Sequence, residues 1–219
     1  LLGDRPGRGM FTLTSENYWQ AGPKRLAATI LQLYQQHRGD YWARDVLTDI
    51  ATACKLEELR GPILRSHGRN FCRVLSEPQD VGYLVSLGKP EDLRALASAA
   101  LASTTLSDSV ASFLLRKLGW GYFSPKDVAI IADDQLSDGQ GAAHIGDALA
   151  SSDLLSSATD DQLFQLARGL VLRLAKAPNA QTRRGYRVEQ RYAETVATIL
   201  WWLGRRAPGS QVTLLPRLC

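Results

Sequence analysis

Apolar residues recur along this chain at spacings of three and four, and the period-2 alternation of a half-buried strand is nearly absent. Pro23 stands where a first helical residue belongs. After it Leu26, Ala27, Ile30, Leu31 and Tyr34 form one stripe that Gly39 ends. Asp40 offers an N-cap oxygen to a second helix, whose inward stripe is expected to be Trp42, Val46, Ile50, Ala53 and Cys54. A third helix is expected from Glu57 to about His67, with a break or a new start at Gly61-Pro62. Ser76-Glu77-Pro78 leads into Val81, Leu84, Val85 and Leu87, closed by Gly88.

Pro90-Glu91-Asp92 opens the clearest helix, since its acids favour the positive end of the helix dipole and Leu93, Leu96, Ala97, Ala100 and Leu101 make a continuous stripe. Ser107-Asp108 starts its partner, in which Val110, Phe113, Leu114 and Leu118 face inward before Gly119. Ser124-Pro125-Lys126-Asp127 repeats the start signal ahead of Val128, Ile131 and Ala132. The stretch from Ser137 to Ser157 is rich in Ser, Gly and Asp and reads as a loop with short helical turns around Ile145 to Leu149. Beyond it, Leu163, Leu166, Ala167, Leu170, Val171 and Leu174 define a long helix ended by Pro178-Asn179. A last helix runs from about Tyr186 to Gly204, with Tyr192, Val196, Ile199, Leu200 and Leu203 inward.

Helices of this length separated by short turns predict an all-α fold, an irregular α-solenoid of stacked antiparallel, HEAT-like helix pairs, because no single pair buries both of its apolar faces. The expected organisation is an extended segment over 1–22, helix pairs over 23–136, a loop with helical turns over 137–158, a basic helix pair over 159–206 and a tail over 207–219.

At 219 residues, 45% hydrophobic and 22% charged, the composition is that of a globular chain. Even the apolar run from Ala193 to Leu203 is flanked by Arg191 and Arg205, so no membrane span is predicted. Neither end carries an initiator Met or a signal-peptide layout, and a segment of a longer protein is expected. Cys54, Cys72 and Cys219 form no disulfide framework, which fits a reducing cytoplasmic setting.

Candidate chemistry is sparse. Cys54, His67 and Cys72 match no compact zinc spacing and supply three ligands; buried thiols and a surface histidine are expected instead of a metal site. The histidines are His37, His67 and His144, and no Gly-x-Ser-x-Gly elbow exists, so no catalytic residue and no cofactor is assigned. The run from Asp133 to Gly141 has neither the ligand pattern of an EF-hand nor the Lys-Ser/Thr of a P-loop. Tyr18, Trp19, Tyr41, Trp42 and Trp120 are expected in core or inter-helix packing, with a ligand pocket as the other use.

Charge is unevenly placed. From Arg168 to Cys219 ten Lys or Arg face Glu189 and Glu194, a net of +8, which leaves −4 on the rest of a chain whose total is +4. Arg184, Arg187 and Arg191 fall three and four apart, with Arg183 adjacent, and so share one side of the last helix. That stripe is a solvated face, a contact for an acidic protein surface, or a grip on phosphates. Trp201-Trp202 sends one ring inward and one sideways. The candidate partner- or nucleic-acid-binding residues are therefore Arg183, Arg184, Arg187, Arg191 and Trp202.

The order of segments adds a resemblance. Glu16-Asn17-Tyr18-Trp19, Leu31-Gln32-Leu33-Tyr34, the run from Val46 to Leu59, Pro90 to Ala97 and Phe123 to Val128 together resemble the HEAT-like repeats that follow the nucleotide-binding module of bacterial STAND-type ATPases of the NACHT kind. The similarity covers roughly residues 15 to 135. It implies a sensor or autoinhibitory region in antiphage defence, contacting a protein trigger or other domains of its own chain. Any ATP chemistry would lie elsewhere, because this sequence has no Walker motif.

Overall fold

The computed structural model describes residues 23–37, 39–103, 106–138, 148–149, 151–176 and 188–206, and all of their regular structure is helical. The order is α1 (Pro23–Gln36), α2 (Tyr41–Ala53), a 3-10 turn (Glu57–Leu59) running into α3 (Arg60–Ser66), α4 (Phe71–Val74), α5 (Pro78–Leu87), α6 (Pro90–Ala102) and α7 (Asp108–Leu118). A second 3-10 turn (Gly119–Gly121) leads to α8 (Pro125–Asp138), α9 (Ser152–Ser157), α10 (Asp160–Lys176) and α11 (Val188–Arg206).

Local chemistry sets most of these boundaries. The Asp40 carboxylate accepts the Ala43 N–H at 3.1 Å and caps α2. Pro62 falls in the first turn of α3, where its missing N–H breaks no helical bond, and the new start expected at Gly61-Pro62 is the step at Arg60 from the 3-10 turn into α3. Ser124 and Asp127 cap each other at the start of α8: Asp127 accepts the Ser124 N–H at 2.9 Å, and Ser124 Oγ accepts the Asp127 N–H at 3.3 Å. α5 ends at Gly88, where a Cβ would lie 2.2 Å from the Leu84 carbonyl oxygen; the close approach excludes any larger residue.

One continuous core runs from Ala27 to Leu203. α1 packs on α2, and α2 packs chiefly on α5 rather than on its successor α3. α5 then meets α6 and α7, and α6 reaches back to α4 and forward to α8. α10 lies between α8 and α11. A Cβ on Gly169 of α10 would lie 3.2 Å from the Ala129 side chain of α8, so two small residues allow those helices their close contact. The chain thus does more than stack consecutive hairpins, since α2 and α5 pair across two intervening helices.

The Ser-rich stretch after Ser137, expected as a loop with short helical turns, contains the six-residue helix α9, because Ser151 Oγ caps the Leu154 N–H and Leu154 and Leu155 are buried; residues 139–147 lie outside the described residues. One expectation is corrected by the packing. On α2 the buried residues are Leu47, Thr48 and Ala51, not a stripe led by Trp42, and Tyr41 and Trp42 are exposed. On α7 the expected register holds: Leu114 is fully buried between Val110 and Leu118.

Leu114→Ala should therefore destabilise the fold by about 2–5 kcal/mol in urea denaturation. A loss below about 0.5 kcal/mol would show that the site collapses around the smaller side chain and that the α7 register contributes little.

Candidate functional site

The first turn of α5 carries a buried carboxylate that joins several helices. Asp80 is 2% exposed. Its carboxylate accepts hydrogen bonds from Arg44 Nη2 at 3.1 Å and Thr48 Oγ1 at 3.2 Å, both on α2, and lies 2.7 Å from His67 Nε2 at the end of α3. Arg44 Nη2 also donates to Tyr34 Oη of α1 at 3.3 Å, and its guanidinium carbon sits 5.5 Å from the Tyr34 ring centre. Four elements therefore converge on one carboxylate. Burial, and then the Asp80 charge, push the Tyr34 phenol above its ordinary value, which keeps it neutral as an acceptor for Arg44.

A carboxylate–histidine pair invites a catalytic reading, but both members are buried, Asp80 at 2% and His67 at 7% exposure. The geometry is that of a latch joining α1, α2, α3 and α5. His67, expected on the surface, is turned inward because Asp80 needs the donor. Of the three residues weighed for a metal, Cys54 is buried and Cys72 exposed, and among the described residues no group of three or more His, Cys, Asp or Glu is placed to hold a metal ion.

A second buried carboxylate repeats the device. Asp92, in the first turn of α6, accepts Arg60 Nε at 2.6 Å, Arg60 Nη2 at 2.8 Å and the Lys89 N–H at 2.9 Å. It ties α3 to α6 while closing the N-terminus of its own helix.

The surface above the Asp80 latch is different in character. Trp42 is 58% exposed and Tyr41 51%. Asp45 and Asp49 follow Trp42 at three and seven residues, so they lie on its side of α2. The Tyr41 phenol interacts with Asp45 and with Glu77 across the α2–α5 seam; burial, and then those two carboxylates, push it up to about 12. Asp45 is pushed up to about 6 by burial and by the negative charges of Glu77, Asp80 and Asp49. Burial also raises Asp49. Arg44 is the cation that reaches Glu77 electrostatically, and its hydrogen bonds go to Asp80 and Tyr34.

The C-terminal candidates resolve unevenly. Arg183, Arg184 and Arg187 lie outside the described residues, and Arg191 falls within α11 with its side chain outside them. Of the tryptophan pair, Trp202 is the half-buried ring packed on the core, while Trp201 is 55% exposed, edge-on to Trp202 at 6.1 Å. The Arg205 guanidinium lies 4.7 Å over the Trp201 ring. Arg206 is not a surface charge awaiting a ligand: its Nη1 donates to the Ala158 carbonyl at 2.6 Å and its Nη2 to those of Leu155 and Ser156, closing the C-terminal end of α9. Trp120 Nε1 donates to the Leu154 carbonyl at 2.8 Å and holds α9 from its other side, in line with its expected packing role.

No family model, no curated protein and no solved structure matches the chain.

Two stability outcomes follow from the electrostatics. Asp80→Ala leaves the partly buried Arg44 without its anion and strips the buried Thr48 and His67 of their acceptor, so unfolding free energy should fall by about 3 kcal/mol; a loss under about 1 kcal/mol would mean the latch is dispensable. Asp45 behaves in the opposite sense. Its folded value of about 6 lies above the ordinary 3.8, so the ionised carboxylate opposes folding above about 6, and that penalty fades as pH falls toward 3.8. Asp45→Asn should stabilise the protein by about 1 kcal/mol at pH ~7.5, a figure reduced for solvent screening, and should have almost no effect at pH ~4. Thermal melts at the two pH values decide it; equal shifts at both would remove the electrostatic explanation.

Proposed function

We propose that the chain is a non-catalytic protein-binding scaffold, an irregular HEAT-like α-solenoid that contacts partner proteins or other domains of its parent chain. The observation that carries this reading is the exposure of large aromatic rings, Tyr41 and Trp42 on α2 and Trp201 on α11, on a molecule whose core is otherwise continuous. Aromatic side chains more than half exposed are costly unless a partner covers them, and they are the residues that dominate protein contacts. The buried carboxylates support it too: Asp80 and Asp92 are fully engaged in joining helices, which is structural work. Free thiols at Cys54 and Cys72 fit a cytoplasmic setting, and no described helix is long and apolar enough to cross a membrane. The resemblance to STAND-type repeats adds that the parent chain is an NTPase and this part its sensor; the scaffold reading does not depend on it.

Nucleic-acid binding is the second reading, and the Arg205–Trp201 stack favours it, because a cation over an exposed ring is also a platform for a base. Capture from a cell extract with the full chain, set beside capture with Trp42→Ala and Trp201→Ala, tests the scaffold. Specific proteins should be retained by the wild type and lost with at least one variant. Identical protein profiles, together with RNA or duplex DNA binding that falls steeply as salt rises from about 50 to 200 mM, would replace the scaffold with the nucleic-acid reading.

A further inference from the structure

Resting on the scaffold reading, we infer that the α2–α5 face around Trp42 and Tyr41 is a docking surface for an arginine-bearing segment of a protein partner. Two observations meet there. The first is apolar: adjacent Tyr41 and Trp42 are both more than half exposed at the start of α2, and among the described residues no cation lies over the Trp42 ring. The second is charge: Asp45 and Asp49 follow Trp42 at three and seven residues along α2, Glu77 faces Tyr41 and Asp45 across the α2–α5 seam, and among the described residues no ion pair within salt-bridge distance neutralises Asp45 or Asp49. The latch beneath has its own cation. Arg44 faces Asp80 and Tyr34, so the outer carboxylates are left repelling one another, and an incoming positive group relieves that repulsion.

The chemistry selects a guanidinium over an ammonium. A flat cation stacks on an exposed indole and can present its N–H fork to a carboxylate at the ring edge, whereas an ammonium offers a point charge alone. The same chain already uses both halves of that recognition inside itself. Arg205 lies over Trp201, and Arg60 grips Asp92 with two parallel bonds. The Trp42 face offers the ring and the carboxylates together and lacks the arginine. An anionic partner, including a phosphate backbone, would instead add charge of the sign this face already carries.

Fluorescence anisotropy with labelled oligo-arginine, oligo-lysine and oligo-glutamate peptides of equal length, titrated with the full chain, tests this directly. Oligo-arginine should bind more tightly than oligo-lysine, and oligo-glutamate should not bind. Asp45→Asn combined with Glu77→Gln should weaken oligo-arginine by about tenfold or more, and Trp42→Ala by about tenfold while narrowing its advantage over oligo-lysine. Neutralising the exposed pair Glu57 and Glu58 to glutamine removes the same charge elsewhere and should change affinity by less than about twofold. Circular dichroism establishes that each variant is folded. No oligo-arginine binding, or binding weakened as much by the Glu57/Glu58 variant as by the Asp45/Glu77 variant, or indifference to Trp42→Ala, would overturn the assignment. The scaffold reading survives such a failure if partner capture still depends on Trp201, and the two outcomes are thereby separable.

Discussion

The structure hangs on a carboxylate placed where a helix begins. Asp80 sits in the first turn of α5, where the helix dipole favours a negative charge, and it spends none of its acceptor capacity on its own helix. Arg44, Thr48 and His67 come to it from α2 and α3, and Tyr34 of α1 holds Arg44 from behind. Burying that carboxylate is unfavourable unless every one of these donors arrives, so the network specifies a single way for α1, α2, α3 and α5 to meet. Leucines alone would tolerate several. The pairing of α2 with α5 across two intervening helices is the consequence.

The sequence carried much of this, but at one level only. Three helices open on Pro-x-Asp: Pro78-Gln79-Asp80, Pro90-Glu91-Asp92 and Pro125-Lys126-Asp127. As a helix start the motif is plain, since proline needs no donor there and the acid complements the dipole. What the third residue then does differs each time. Asp127 stays outside and caps Ser124; Asp92 closes its own helix and also binds Arg60; Asp80 turns wholly to other helices. Nothing local distinguishes them, because the difference lies in which arginine the tertiary fold brings within reach. For the same reason the apolar stripes of α1, α6 and α7 were legible, while the inward turn of His67 was not.

The position of α9 within its Ser-rich stretch is hidden in the sequence for a related reason. Six residues with three serines and an aspartate have neither the length nor the periodicity to signal a helix. Its two leucines enter the core, Trp120 binds a carbonyl near its start, and Arg206 gathers the carbonyls at its end from α11. Read as sequence, Arg206 belonged to a basic C-terminal block. In the fold it closes the end of α9, a short helix distant along the chain, and the positive charge left for a surface is smaller than the count suggests.

The same constraint that closes the interior decides what is left outside. At about 100° per residue, Trp42 stands about 200° around α2 from Arg44, nearly the opposite side of the helix. Once Arg44 and Thr48 must face Asp80, Trp42 cannot be buried against α5, and of the stripe Trp42, Val46 and Ile50 the indole is left exposed while Ile50 is only partly buried against the core. Hydrophobicity by itself favours the opposite rotation, with the indole inside. The polar latch prevails because an unpaired Asp80 or Arg44 in the core costs more than an exposed indole. The exposed aromatic face and the acids beside it are thus a result of how α2 is fixed, and a partner able to cover them gains an apolar surface that the fold itself is unable to bury.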